Sequence, residues 1–401
     1  MSVDRSVPAW VVTARDLFLV AMALFVVTIV IGILNGADIV EFDRNQLLTH
    51  VHAGTLGWMT LTIVASSFIL FRAADRRLML TLAVLVPIYV AAFYTGSLPF
   101  RAIGGVALLI AIGWLLVWLW RQFLTGERSL PRLAVVLGLS TFGYGAVIGV
   151  LLQVQFALGR QILTGDAIGA HASAMTFGYL VLVAMGLIEW RLLGTRGLPR
   201  AGLVQVGSLF AGGLVISVGL LAGAVQAAGG IYLLTQLVAI VLFVTRIWPT
   251  ALRASWLNAG PVRHIAAASL WVVGALILFM YLVLIFLQNP TDPNAFPLNV
   301  VVASDHSVYI GVITNIVLGL LLALVAGEVA MGVARRAWIG QVTFWGVNLG
   351  LAVFVLGLIV NTAEMKRIGA PVMGVALLVA LAIVAARAVS ATLASAESDL
   401  A

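Results

Sequence analysis

The chain has 401 residues, of which 63% are hydrophobic and only 9% are charged, and its formal net charge is +7. This composition is too apolar for a water-soluble protein, because too few polar residues remain to cover its surface. It indicates an integral membrane protein in contact with the lipid bilayer. The positive charge therefore does not point to nucleic acid as a partner. The sequence contains no cysteine, which excludes disulfides, iron–sulfur clusters and thiolate metal sites.

Apolar stretches of about 20 residues, the length of a membrane-crossing helix, follow one another along the chain. They predict an all-α integral membrane protein with twelve transmembrane helices in a single domain, residues 1–401. No cleavage site follows the first stretch, so we expect that stretch to be retained. The predicted spans are roughly 16–34, 47–71, 78–97, 102–120, 133–157, 166–189, 202–223, 228–245, 265–287, 299–325, 338–360 and 368–386.

The basic residues support this topology. Cytoplasmic loops of membrane proteins carry an excess of Lys and Arg. If both termini are cytoplasmic, in a bacterial-type inner or plasma membrane, 17 of the 22 basic residues fall on the inner side. We therefore expect cytoplasmic termini. The five basic residues of the outer segments are Arg44, Arg101, Arg160, Lys366 and Arg367.

Four of the five histidines share one predicted depth. His50 and His52 lie in the second span, His171 in the sixth and His306 in the tenth. Each is about five to seven residues below the outer end, or roughly 8–10 Å deep at the helical rise. The fifth, His264, lies at an inner helix end, where we expect an ordinary interfacial residue.

The spans that carry these histidines are four apart, which predicts three pseudo-repeats of four helices. The segment from His52 to Thr60 has Gly at +5 and Thr at +8 from its histidine, and so does the segment from His306 to Thr314. The copy that begins at His171 is weaker, with Thr at +5. The repeats cover about 16–120, 133–245 and 265–386.

Ionisable groups inside a membrane are costly and usually functional, so the shared depth favours metal ligation over polar packing. A neutral imidazole is a good axial ligand of haem iron. Zinc or copper would need three or four ligands at one point. The alternative function is a transporter or channel without haem. A transporter should show central Gly or Pro breaks, whereas we expect spans without central prolines and polar residues in the outer third.

This topology resembles subunit I of the haem–copper oxidase and nitric oxide reductase superfamily. The segment His50-Val51-His52-Ala-Gly-Thr-Leu-Gly-Trp58 is similar to segments of the C-type cytochrome c oxidases and of the reductases. The resemblance implies a cytochrome oxidase-like protein of the respiratory chain in which His52 and His306 ligate one haem b. It also implies that the adjacent pair Lys366 and Arg367 binds the haem propionates, with Arg101 or Arg160 as helpers.

The departures from the family concern its copper site. Span seven contains no histidine, Met175 stands where the family has a tyrosine after the span-six histidine, and the only lysine of the chain is Lys366. Glu189 and Glu328 are expected at solvated helix ends, so no proton channel is evident. Copper is therefore not expected, and the sequence argues against full oxygen reduction. The expected function is therefore electron transfer or the chemistry of a diatomic gas such as O2 or NO.

His50 cannot share an iron with His52, because residues i and i+2 of a helix are about 200° apart around its axis. We expect His50 to face His171, where the two would bind a second haem or a simpler metal centre. The alternatives are that His50 is only hydrogen-bonded and that His171 is a relic of the lost copper site. The electron donor would be a separate cytochrome or quinol, and partner subunits are compatible with the sequence.

Overall fold

The computed structural model describes residues 8–258, 260–289, 295, 297–324 and 337–390. Within these ranges the chain contains helices and no strands, and twelve helices are long and apolar enough to cross a membrane. The predicted all-α membrane fold is therefore confirmed. The helices are α1 (Ala9–Gly36), α2 (Arg44–Phe71), α3 (Arg76–Tyr94), α4 (Leu98–Thr125), α5 (Leu130–Leu158), α6 (Ala167–Leu193), α7 (Arg200–Ala222), α8 (Val225–Ala251), α9 (Val262–Gln288), α10 (Leu298–Leu324), α11 (Ala337–Ile359) and α12 (Ala363–Ser390).

Some predictions fall on residues outside the described ranges. The predicted tenth span ends one residue beyond the described part of α10. Arg5, Arg335 and Arg336, which the predicted topology places on the inner side, and Glu328, which it places at a helix end, also lie outside those ranges.

The helix ends follow from local sequence, because a membrane offers no water to backbone groups and each helix must satisfy its own. Asp43 precedes α2 and forms a capping box with Gln46, in which each side chain bonds the other residue's backbone N–H. Three helices end at a glycine with a positive φ, a conformation that glycine adopts without strain. These glycines are Gly159 (φ 60°), Gly194 (φ 57°) and Gly223 (φ 68°).

Three helices lie inside a ring formed by the other nine. In α2, α6 and α10, 94%, 83% and 89% of the residues in the most apolar stretch are buried, against 33–67% in the other spans. Consecutive helices contact one another along the chain, and α1 contacts α12, which closes the ring. Each predicted four-helix repeat thus contributes one inner helix, and these are the helices that carry the four histidines.

Each inner helix contains a π-helical segment, in which the backbone bond spans five residues instead of four. In α2 and α10 this segment begins directly after His52 and His306, and in α6 it begins three residues after His171. No pattern in the sequence predicts these segments, and π-helical turns are frequent at functional sites. The segments are Ala53–Thr60, Ala174–Leu180 and Ser307–Thr314.

Side-chain hydrogen bonds join the three π-helical segments in pairs, so that each segment bonds to the other two. These bonds fix the rotation of each inner helix about its axis, and therefore the side to which its histidines point. They connect Trp58 Nε1 with Thr314 Oγ1 (2.9 Å), Tyr179 Oη with Thr60 Oγ1 (3.3 Å), and Thr176 Oγ1 with Tyr309 Oη (3.0 Å).

Three sequence expectations fail. Pro87 lies inside α3, so the spans do not all lack central prolines. Glu189 is 1% exposed and pairs with Arg246, which follows from the extension of α8 beyond its predicted end. His264 is also buried instead of interfacial, and its Nδ1 bonds Asn315 Oδ1 at 3.0 Å.

Candidate functional site

The four histidines lie near one end of the helix bundle. We call this end the distal face, where α1 ends at Gly36 and α2 begins at Arg44, opposite residues 8 and 390. Helices α2, α6 and α10 all begin at this face. Their histidines are the fifth to the ninth residues of these helices and so occupy the first two to three turns.

All four imidazoles are oriented in the same way. The Nδ1 of each ring bonds a backbone carbonyl oxygen. Because a carbonyl oxygen only accepts hydrogen bonds, each Nδ1 carries the proton and each Nε2 keeps its lone pair. No Nε2 of these rings has a hydrogen-bond partner among the described residues. Protein ligands of metals are held in this state, since the bonded Nδ1 fixes the tautomer and raises the basicity of Nε2. The bonds join His50 to Thr28 O (2.9 Å), His52 to Leu48 O (2.8 Å), His171 to Gly145 O (2.8 Å) and His306 to Val302 O (2.9 Å).

His50 and His52 point to different sides of α2. The ring of His52 stacks on Phe93 of α3, with 3.7 Å between the ring centroids and 14° between the planes. His50 lies against α1, where it bonds Thr28 and packs beside Gly32. The expectation that these two side chains cannot serve one iron agrees with this geometry.

His52 and His171 line one cavity of about 960 Å³ between α2 and α6, with α3, α4 and α5 as its outer wall. We call it the α2–α6 cavity. Most of its wall is apolar, and α10 contributes two polar side chains. The two from α10 are Asp305 and Tyr309, and the other polar residues that line the cavity include Arg44, Arg101, Arg160 and Gln153.

Arginines give the distal end of this cavity a positive charge. Arg101 is 5% exposed, and its guanidinium donates to Asn45 Oδ1 and to the carbonyl of Phe93, both at 2.8 Å. No carboxylate among the described residues forms an ion pair with Arg44, Arg101 or Arg160. Three cations without counter-ions at the mouth of an apolar cavity are suited to an anionic ligand.

His50 and His306 do not line this cavity. The His306 ring contacts Phe354 of α11, with 5.1 Å between the ring centroids. At the distal face beside these helices, Arg367 forms an ion pair with Asp38 at 2.8 Å.

The structure therefore groups the histidines differently from the prediction. We expect from the sequence that His52 faces His306 and His50 faces His171, whereas His52 shares a cavity with His171 that neither His50 nor His306 lines. Helical geometry gives the angle between two side chains of one helix. It does not give the rotation of the helix about its axis. The stacking of His52 on Phe93 of α3 shows that rotation for α2.

The third side, between α6 and α10, is filled by side chains. Phe177 stacks on Phe279 with 3.4 Å between the ring centroids, and Tyr232 packs edge-on against Phe279 at 5.3 Å. The resemblance would place copper ligands of spans six and seven here. His171 instead turns toward α5 and bonds Gly145.

Lys366 and Arg367 lie in the first turn of α12 and not in the preceding loop, where we expected them. Arg44 and Asp305 line the cavity but are not among the site residues predicted from the sequence. Both carried a signal, since Arg44 defies the positive-inside bias and Asp305 is a carboxyl group inside an apolar span.

The residues present fit a haem better than a bare metal ion. Within the described part of the chain, no three His, Asp or Glu side chains converge to hold a metal. A porphyrin supplies four nitrogen ligands itself, so two imidazoles complete the coordination of its iron. The cavity volume also lies in the range of about 300–1,000 Å³ that is common for cofactor pockets.

A scan against protein-family models found no match, and a search of curated proteins also found none.

Proposed function

We propose that this protein is a haem b-binding membrane protein, related to subunit I of the haem–copper oxidases, that acts in electron transfer or in the chemistry of O2 or NO. The observation that carries this proposal is the common state of four membrane-embedded imidazoles, each with Nδ1 on a backbone carbonyl and Nε2 unbonded. Histidine ligands of metals are held in this state, because the bonded Nδ1 fixes the ring and leaves the lone pair of Nε2 for the metal.

His50 and His306 are the proposed ligands of this haem. They lie on α2 and α10, the two helices whose histidines ligate the low-spin haem in the family, and neither lines the α2–α6 cavity. The carbonyls of Thr28 and Val302 hold their rings and strengthen Nε2 as a ligand. A bound haem would supply one-electron redox chemistry at its iron.

Lys366 and Arg367 are proposed to neutralise the propionates of this haem. Charge-assisted bonds to carboxylates are roughly twice as strong as neutral hydrogen bonds. Asp38 already pairs with Arg367. When a propionate binds, the Arg367 guanidinium would have to leave Asp38 or bind both carboxylates. Lys366 forms no ion pair within the described ranges, which leaves its charge for the ligand.

The proposal includes the orientation in the membrane. Both termini are cytoplasmic, in a bacterial-type inner or plasma membrane, so the distal face is the outer face. A soluble cytochrome or a membrane quinol would then deliver electrons from outside this chain, and partner subunits would bind on its lipid-facing helices. The copper site is incomplete, because α7 carries no histidine and His171 turns away from it.

Haem content of the purified protein tests the proposal. The protein is expressed with ample haem precursor, purified in detergent, and assayed by absorption, pyridine haemochrome and metal analysis. We expect a Soret band, haem b and no stoichiometric copper. His306→Ala should remove the haem of this site. His264→Ala is the matched control, because it removes a buried imidazole that lies outside both sites.

A colourless wild-type protein would refute haem binding and favour the transporter or channel alternative. Equal haem loss in the His306 and His264 variants would show that the loss reflects general destabilisation, and the assignment of His306 as a ligand would fall.

A further inference from the structure

We propose that the α2–α6 cavity is a second haem site, with His52 and His171 as axial ligands and the guanidinium groups of Arg44, Arg101 and Arg160 as partners of the propionates. This inference rests on the proposed function and extends it to a site on the other side of α2. The chain would then carry two haems in two separate sites.

The distribution of polarity in the cavity selects the class of ligand. The wall is mainly apolar, and the cations gather at the distal end. A ligand that matches both features is a large apolar body with anionic groups at one edge. Haem has this form, since its two propionates project from one edge of an apolar macrocycle.

Arg101 is the strongest indication of an anionic ligand. It is buried, and the acceptors that hold its guanidinium are the neutral groups Asn45 Oδ1, Ala92 O and Phe93 O. A buried cation is costly without an opposite charge nearby. The only carboxyl group that lines the cavity is Asp305, and it forms no ion pair with Arg101 within the described residues. A propionate would supply the missing charge.

The two imidazoles are held ready for ligation. His52 is fixed by its Nδ1 bond to Leu48 and by stacking on Phe93. His171 is fixed by its bond to Gly145, and its ring lies directly against Gly149 of α5. A Cβ at Gly149 would stand 2.7 Å from His171 Cε1, closer than real contacts allow. The glycine is therefore required for the present position of the ring.

A quinone is the main competing occupant. The side chain of Gln153 lines the cavity, and its Oε1 is buried without a hydrogen-bond partner among the described residues. A quinol hydroxyl could bond to it. A quinone is neutral, however, and leaves the buried guanidinium of Arg101 without a counter-charge, so the charge of Arg101 favours haem.

The experiment measures haem per polypeptide, by pyridine haemochrome and amino-acid analysis, together with the low-spin ferric EPR spectrum. The wild-type protein should contain two haems and show two bis-imidazole signals. His171→Ala and His52→Ala should each reduce the ratio to one and remove the same signal. His50→Ala should remove the other signal.

A glycine variant keeps every histidine and so separates ligation from folding. Gly149→Ala should shift the EPR signal of the cavity haem or lower its occupancy, because the His171 ring must move. Gly113→Ala is the matched control, since Gly113 also lies within a helix and an added Cβ there meets nothing within 4 Å. It should leave both signals unchanged.

The outcomes separate the two proposals. One haem per chain, insensitive to His52→Ala and His171→Ala but lost in His50→Ala, would overturn the second site and leave the proposed function intact. Absence of all haem would overturn both. One haem lost only in the His52 and His171 variants would support the cavity site and overturn the His50 and His306 assignment. An extracted quinone at one per chain, displaced by Arg101→Gln while the haem count stays at one, would overturn the cavity haem.

Discussion

The ion pair between Glu189 and Arg246 gives a stability prediction that is independent of any cofactor. Glu189 is 1% exposed, and the guanidinium of Arg246 bonds both Glu189 and Gln205. Removing one partner of a buried pair costs about 3–5 kcal/mol, because the other charge stays buried without compensation. The Arg246 side chain keeps 16% of its exposure and its bond to Gln205, so we expect about 3 kcal/mol for Glu189→Gln.

The matched control is the pair of Arg15 and Asp16, whose 2.8 Å contact is similar but whose side chains are 32% and 39% exposed. Asp16→Asn should cost less than about 1 kcal/mol, since solvent screens the pair. Unfolding is measured in mixed micelles by titration with denaturing detergent. The double variant Glu189→Leu with Arg246→Leu should recover most of the stability. If Glu189→Gln and Asp16→Asn differ by less than about 1 kcal/mol, burial does not strengthen the pair and the reasoning is wrong.

Three further predictions concern the inner helices and the sites. A double-mutant cycle of Trp58→Phe and Thr314→Val should give a coupling of about 0.6 kcal/mol, and at most about 1.7, in the same unfolding assay; no measurable coupling would contradict their hydrogen bond. In a redox titration, Arg367→Gln should lower the midpoint potential of the adjacent haem because a nearby cation disfavours the oxidised form, and Asp38→Asn should raise it. Shifts of the same sign in both variants would place neither residue at the propionates. His264→Ala should cost about 0.5–1.5 kcal/mol, because it removes one hydrogen bond to the Asn315 amide oxygen, which keeps its bond from Asn348 Nδ2, and should keep the full haem content. Loss of haem without loss of stability would make His264 a site residue.

The architecture could be predicted from the sequence, because membrane insertion follows from the composition and length of the apolar stretches. Twelve apolar stretches, separated by segments that alternate in basic content, predict twelve helices, and the structure contains them. The position of His50, His52, His171 and His306 in the helices that became the inner three was also predictable from their spacing of four spans. Helix ends shifted where a specific partner extended a helix, as Arg246 does in α8 by pairing with Glu189.

The arrangement of the site was less predictable, because it depends on how each inner helix is rotated. That rotation is set by contacts between residues distant in sequence, such as Trp58 with Thr314, which are 256 positions apart. No local pattern reports such a contact. The π-helical segments have the same cause, since they form where a helix must accommodate an extra residue within tertiary packing. Arg101 and Arg160 were predictable as site residues, and so was Arg44, because all three break the positive-inside bias.

The shared depth of the four histidines has a consequence for bioenergetics. A charge that crosses a membrane at 100 mV gains or loses about 2.3 kcal/mol, and a charge that moves within the membrane plane gains or loses almost nothing. The two proposed sites lie side by side across α2 near the distal face. Electron exchange between them would therefore run parallel to the membrane surface, and its equilibrium would be insensitive to the transmembrane voltage. Such a protein could pass electrons from one lateral partner to another at any transmembrane voltage. This transfer would not itself contribute to the proton-motive force.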